Sequence, residues 1–175
     1  LSVSRVTCFL SSVDLAKWGA EMLGMPMTTR TTELAVKGGH VQALEWLLSL
    51  DVPLDRCLPS TYPNPQYACR WAAERGELSM LQYLRSFEPP FPWSTETCSR
   101  AAEKGQLEII QWARSQPEPC PWDWWTCCMA AWNGHLEVLK WARSQPEPCD
   151  WNDMTCACAA VGGHLEVIQW ARSQP

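Results

Sequence analysis

The sequence predicts an all-α chain, a solenoid of helix-turn-helix units rather than a fold around one centre. Three observations carry this. The words GQLEIIQWARSQPEPC (105–120), GHLEVLKWARSQPEPC (134–149) and GHLEVIQWARSQP (163–175) repeat every 29 residues. Aligned on their tryptophan, Trp18, Trp46, Tyr83, Trp112, Trp141 and Trp170 follow one another at 28, 37, 29, 29 and 29 residues, and such a period signals stacked repeats. An apolar content of 46% excludes a disordered chain.

The elements follow in order. The long interval holds CLPSTYPNPQY (57–67), whose Pro, Ser and Asn mark a surface insertion. Within the repeat at 123–149, Thr126 is read as the N-cap of a short helix over Cys127 to Asn133, which Gly134 ends by accepting the left-handed conformation. A second helix is expected from His135 to Ser144, with Glu137 in its first turn and Arg143 in its last, the order the helix dipole favours. The prolines of QPEPCDW then enforce an extended return.

On a helical wheel Leu136, Val138, Leu139, Trp141 and Ala142 cover an arc of about 220°. That is too wide for a helix lying on one core and suits a helix with neighbours on both flanks.

The pattern TCxxAAxxGHLEVLxWAR resembles an ankyrin repeat. TCxxAA is similar to the start of the first ankyrin helix, and GHLEVLKW, GHLEVIQW and GGHVQALEW resemble the second. The resemblance covers residues 31–175 in about five repeats, and SSVDLAKW (11–18) looks like the second helix of a degenerate repeat within 1–30. Ankyrin repeats run to about 33 residues and open with Thr-Pro-Leu-His. Here the period is 29, Cys follows Thr, and Trp stands where leucine is usual. The difference implies shortened fingers made from the Pro-rich loop. Trp- and Cys-rich repeats of this trimmed kind resemble those of algae and other protists. The family resemblance implies a protein-binding role with no cofactor.

Composition narrows the partners. The net charge is −5 without a basic run, which argues against a nucleic-acid phosphate backbone. No apolar stretch approaches the roughly 20 residues of a membrane span, although a membrane complex stays open as a partner. Ten cysteines arise largely by duplication: Cys98, Cys127 and Cys156 share one repeat position, Cys120 and Cys149 another. Equivalent positions of stacked helices lie about 8–10 Å apart, beyond the roughly 7 Å reach of a disulfide. Reduced, packed thiols are therefore expected, in an intracellular reducing compartment, cytoplasmic or organellar, a plastid included.

Two chemical readings were weighed against this scaffold. His40, His135 and His164 form a ladder near thiols, but no CxxC pair has zinc-site spacing, and in ankyrin-like repeats this histidine bonds backbone groups of the turn. A Cys–His nucleophile would occupy a singular place, whereas these residues recur, and no Gly-rich phosphate loop, nucleophile elbow or HExxH is present. The repeated Glu108, Glu137 and Glu166 read as helix-start electrostatics. No enzyme, metal or cofactor is expected.

Comparison of the internal copies separates scaffold from function. Counting back from Gly105, Gly134 and Gly163, Thr at −8, Cys at −7 and Ala-Ala at −4 and −3 are constant. Positions −9, −5 and −2 vary, and on the wheel they centre roughly 180° away. They read Arg30, Leu34, Lys37; Tyr67, Trp71, Glu74; Glu96, Arg100, Glu103; Trp125, Met129, Trp132; and Met154, Cys158, Val161. In ankyrin-like domains this face lines the binding groove. The expected partner site is Trp125, Met129 and Trp132, thickened by Trp124, extended by Met154 and Val161, and joined by Tyr67 and Trp71. The alternative is that these side chains fold over a neighbouring repeat. Trp18, Trp46, Trp112, Trp141 and Trp170, with Trp93, Trp122 and Trp151 of the loop, are read as packing.

The function expected is a non-enzymatic protein-binding scaffold, a structural or accessory subunit of a larger multi-subunit assembly. The alternative is an exchangeable adaptor that recruits clients. Terminal repeats of a free solenoid carry polar caps. The last repeat, which stops at Pro175 within the loop that elsewhere continues to EPC, shows none, so either sequence is missing or a neighbour covers the end, an expectation that inclines to the subunit.

Overall fold

A computed structural model of the chain describes residues 13, 14, 17, 20, 21, 29–50 and 66–174. Every regular element among them is an α-helix. The degenerate repeat expected in 1–30 and the insertion at 57–67 lie largely outside the described residues. The helices with stated bounds are α1 (Thr29–Gly38), α2 (Val41–Ser49), α3 (Gln66–Arg75), α4 (Leu78–Arg85), α5 (Thr95–Glu103), α6 (Leu107–Arg114), α7 (Trp124–Trp132), α8 (Leu136–Arg143), α9 (Asp153–Gly162) and α10 (Leu165–Arg172). None is long and apolar enough to cross a membrane. The chain divides into two compact bodies, Leu1–Ala72 with Ser79–Pro92, and Ala73–Leu78 with Trp93–Pro175.

In the first body α1 packs against α2, with Val36, Leu44, Leu47, Met80, Leu81 and Leu84 fully buried. Glu33 is buried too, and its carboxylate accepts from Arg30 at 2.8 Å and Lys37 at 2.6 Å, so the buried charge is paired on both oxygens.

The second body shows how the repeated words fold. α5, α7 and α9 are first helices, and α7 packs against both of the others; α6, α8 and α10 each pack on their own first helix. Ala101, Ala102, Ala130 and Ala131 are fully buried. Their carbonyls accept the N–H groups of Gly105, Gln106, Gly134 and His135, which satisfies the helix ends. Gly134 has φ of 75°, as the left-handed reading expected.

The helix starts differ from expectation. Thr126 is not the cap: α7 begins three residues earlier, Asp123 is its N-cap, and the Asp123 carboxylate accepts the Trp125 N–H at 3.1 Å. Ser94 and Asn152 cap α5 and α9 in the same register, and each donates its backbone N–H to Thr97 or Thr155 at 3.4 Å in a reciprocal capping box. The constant threonine is thus the buried third residue of each helix, and the varying acceptor before it is the cap.

The second helix spans Leu136–Arg143, one residue shorter at each end than the sequence suggests. Val138, Leu139 and Ala142 are buried while Leu136 and Trp141 are half-buried.

The eight described cysteines are free thiols, and the two repeated sets latch the loop to the helices through backbone oxygens. Cys127 donates to the carbonyl of Cys149 at 3.9 Å, and the Cys149 thiol donates to the carbonyl of Asp123 at 3.1 Å. Cys98 and Cys120 repeat the arrangement, at 3.9 Å to Cys120 and 3.5 Å to Ser94. Arg114 and Arg143 donate to the same two cysteine carbonyls at 2.9 Å while lying over Trp122 and Trp151 at 4.2 and 4.7 Å. The loop tryptophans meet the helix tryptophans as Trp93–Trp112, Trp122–Trp141 and Trp151–Trp170, with ring centroids 5.6–6.1 Å apart. Such pairs contribute about 0.5–1.5 kcal/mol each beyond burial.

Candidate partner-binding surface

Position on α7 follows from its packing. With Thr126, Cys127, Cys128, Ala130 and Ala131 all buried against its neighbours, the remaining arc of the helix must face outward. Trp125 and Trp132 lie on that arc, 41% and 45% exposed, and Met129 between them is half-buried. Trp124, 41% exposed, meets Trp125 edge to face at 5.4 Å.

Trp125, Met129 and Trp132 line a shallow recess of about 350 Å³ together with Asn133 and Glu103. Asn133 is pinned by donating its amide to the Met129 carbonyl at 2.9 Å. Glu103, from the end of α5, accepts from Arg100 at 2.7 Å and Lys104 at 2.9 Å. Burial acts to raise its pKa, but Lys104 and Arg100 outweigh it and hold the carboxyl below the usual range, so it is ionised at neutral pH. Reading the chain repeat by repeat misses Glu103 as a wall of this recess. The signal is the −2 position of the repeat before α7.

The other expected residues are placed differently. Met154 (47% exposed) and Val161 (69% exposed) stand on α9 and do not line the recess. Val161 shares its open side with exposed Ala157 and Ala160, whose counterparts Cys128 and Ala131 in α7 are fully buried. Cys158, grouped by its position with the variable face, is instead buried, because a small thiol at −5 tucks in beside Cys128. Tyr67 and Trp71 belong to the first body, stacked at 6.1 Å, where they line a separate recess of about 220 Å³ with Lys37 and Arg70.

Histidine and thiols take scaffold positions. His135 Nε2 lies 3.0 Å from the Glu103 carbonyl, and its ring covers Gly105. Among the described residues no three His, Cys, Asp or Glu side chains are grouped to hold a metal. The Cys98 and Cys127 thiols are driven far above their ordinary pKa, first by their hydrogen bonds with Cys120 and Cys149 and then by burial. Burial pushes Cys128 up to about 11.

No model of a known protein family matches the chain, and no curated protein matches it.

Proposed function

We propose that the chain is an ankyrin-like helical repeat array that acts as a non-enzymatic protein-binding scaffold, a structural or accessory subunit of a larger assembly. One observation carries the reading. On α7 one face is buried to 1% or less while the opposite face leaves Trp125 and Trp132 at 41% and 45% exposure around a recess. Tryptophans held half in water on a rigid helix are what the centre of a protein interface favours, and they lose most by staying solvated.

Three further facts support it. The preceding repeat places charged side chains, Glu96, Arg100 and Glu103, at the same positions, so the scaffold does not need apolar groups there. The Cys98 and Cys127 thiols are held well above the ordinary thiol range and donate to carbonyls, the reverse of what an activated nucleophile needs. His135 is engaged with backbone, as the ankyrin-like reading implies.

The test is the native size of the protein in a gentle extract of its source cells, with and without mild detergent, followed by mass-spectrometric identification of co-migrating chains. Stoichiometric migration in a large complex is expected. Migration near 19.8 kDa would overturn the subunit reading and leave the exchangeable adaptor.

A further inference from the structure

The two recesses occupy the same repeat register, and their contents differ in sign. In the first body Lys37, two residues before Gly39, holds its ammonium 4.1 Å from the centre of the Trp71 ring, and Arg70 lies 5.3 Å over Tyr67. That recess is lined by the chain's own cations. In the second body the position equivalent to Lys37 is Glu103, and the positions of Tyr67 and Trp71 hold Trp125 and Met129, with Trp132 added. The aromatic surface remains, the cation is gone, and a carboxylate stands in its place.

No cation of the second body stacks on Trp125 or Trp132 among the described residues, and several are committed away from the recess. Arg114 and Arg143 cover Trp122 and Trp151, and Lys140 pairs with Glu137 at 2.8 Å. Arg100 and Lys104 reach Glu103 but do not stack on Trp125 or Trp132 among the described residues. A tryptophan face attracts a cation through its quadrupole, and a carboxylate at the rim adds charge-assisted hydrogen bonds. Lys104 is an exposed partner, whose ion pair is worth little and yields to an incoming group. Each carboxylate oxygen also has capacity for a second donor. A net charge of −5 favours the approach of a basic surface.

We propose that this recess takes a lysine or arginine side chain of the partner protein, its apolar stem against Trp125, Met129 and Trp132 and its charged end on Glu103. The inference rests on the protein-docking reading above and adds the chemistry of the docked group.

The experiment titrates the whole chain with the N-acetyl amides of arginine and lysine, and with those of citrulline and norleucine, which keep the shape and drop the charge. The indole N–H resonances of Trp125 and Trp132 are followed by NMR, assigned through Trp125→Phe and Trp132→Phe. The basic amides are expected to shift both signals saturably, about tenfold more tightly than citrulline or norleucine. Glu103→Gln, at the surface end of α5, is expected to bring the arginine amide down to the citrulline level with far-UV helicity unchanged. Equal binding of citrulline or norleucine would overturn the basic group while leaving a docking recess. Basic binding untouched by Glu103→Gln would overturn the assigned carboxylate. No shift with any probe would overturn the proposal, and the native-size measurement would still decide whether the chain is a subunit.

Discussion

The imidazole Nε2 of His135 lies 3.0 Å from the carbonyl oxygen of Glu103, a residue 32 positions earlier. A carbonyl only accepts, so Nε2 carries the proton and the bond ties the turn of one repeat to the helix end of the repeat before it. His135→Ala is expected to cost about 1–2 kcal/mol, with a carbonyl left short of a donor. His135→Gln, which keeps an N–H donor and places the residue type found at Gln106 in the equivalent position, is expected to recover most of it. The midpoint of urea unfolding measures both, and equal loss in the two variants would remove the bond from the account.

The equivalent ring of the next repeat, His164, covers a glycine. A β-carbon at Gly134 would meet His164 Nδ1 at 2.5 Å, whereas at Gly163, also left-handed with φ of 76°, it would meet nothing within 4 Å. Gly163→Ala therefore carries backbone strain alone, about 1 kcal/mol. Gly134→Ala adds a clash with a packed ring and is expected to cost about twice that or more. Equal shifts in the unfolding midpoint would show that the imidazole contact adds nothing.

Thr126 and Thr97 look interchangeable in sequence and are not in structure. The Thr97 hydroxyl accepts from Ser94 N–H at 3.4 Å, while the buried Thr126 hydroxyl has no hydrogen-bond partner. Thr126→Val is expected to be neutral or stabilising because it removes an unpaired polar group, and Thr97→Val to cost about 1 kcal/mol. Thermal unfolding of the two variants side by side decides it.

Alkaline pH should unfold the protein through its thiols. Hydrogen bonding and then burial raise the Cys98 and Cys127 thiols well above the ordinary thiol range in the folded state. A raised acid favours the fold where both states are protonated and loses that advantage once the unfolded thiol ionises. The contribution is full below about pH 8.5 and falls as pH rises above it. Urea titrations between neutral pH and pH 10 should show this decline, and Cys98→Ala with Cys127→Ala should flatten it while lowering stability at neutral pH. A slope unchanged in the double variant would exclude these thiols as its source.

Trp125→Ser with Trp132→Ser is expected to abolish co-migration with the partner and leave helicity intact, since both side chains are more than two-fifths exposed. Circular dichroism and native sizing read the two properties separately. Lost helicity would make these residues part of the core.

How much of this was legible depends on where side-chain identity is dictated. The α7 patch could be read because Trp125, Met129 and Trp132 differ from their counterparts in other repeats, while Ala130 and Ala131 recur at a close helix contact that tolerates little more than a methyl. Gly134 was legible from the left-handed conformation that ends its helix. The N-cap was not, because capping requires an acceptor oxygen and not one residue type. Ser94, Asp123 and Asn152 all serve, and the constant Thr126 drew the assignment to itself. Cys158 was misplaced because wheel position alone does not tell how far a small side chain sinks. Glu103 escaped because the recess wall it forms joins α5 to α7, a contact between copies that comparison of the copies cannot reveal.

Each joint of the second body has two halves: a glycine at the end of one first helix, and the Gln or His of the next copy that covers it. Gln106 on Gly76, His135 on Gly105 and His164 on Gly134 are the same lock with its key written into the neighbouring word. Tandem duplication of one 29-residue stretch of coding sequence would supply both halves of the new joint at once, with no second mutation to reconcile them. The joint belongs to the repeated word itself, so each further copy would arrive already fitted to the one before it.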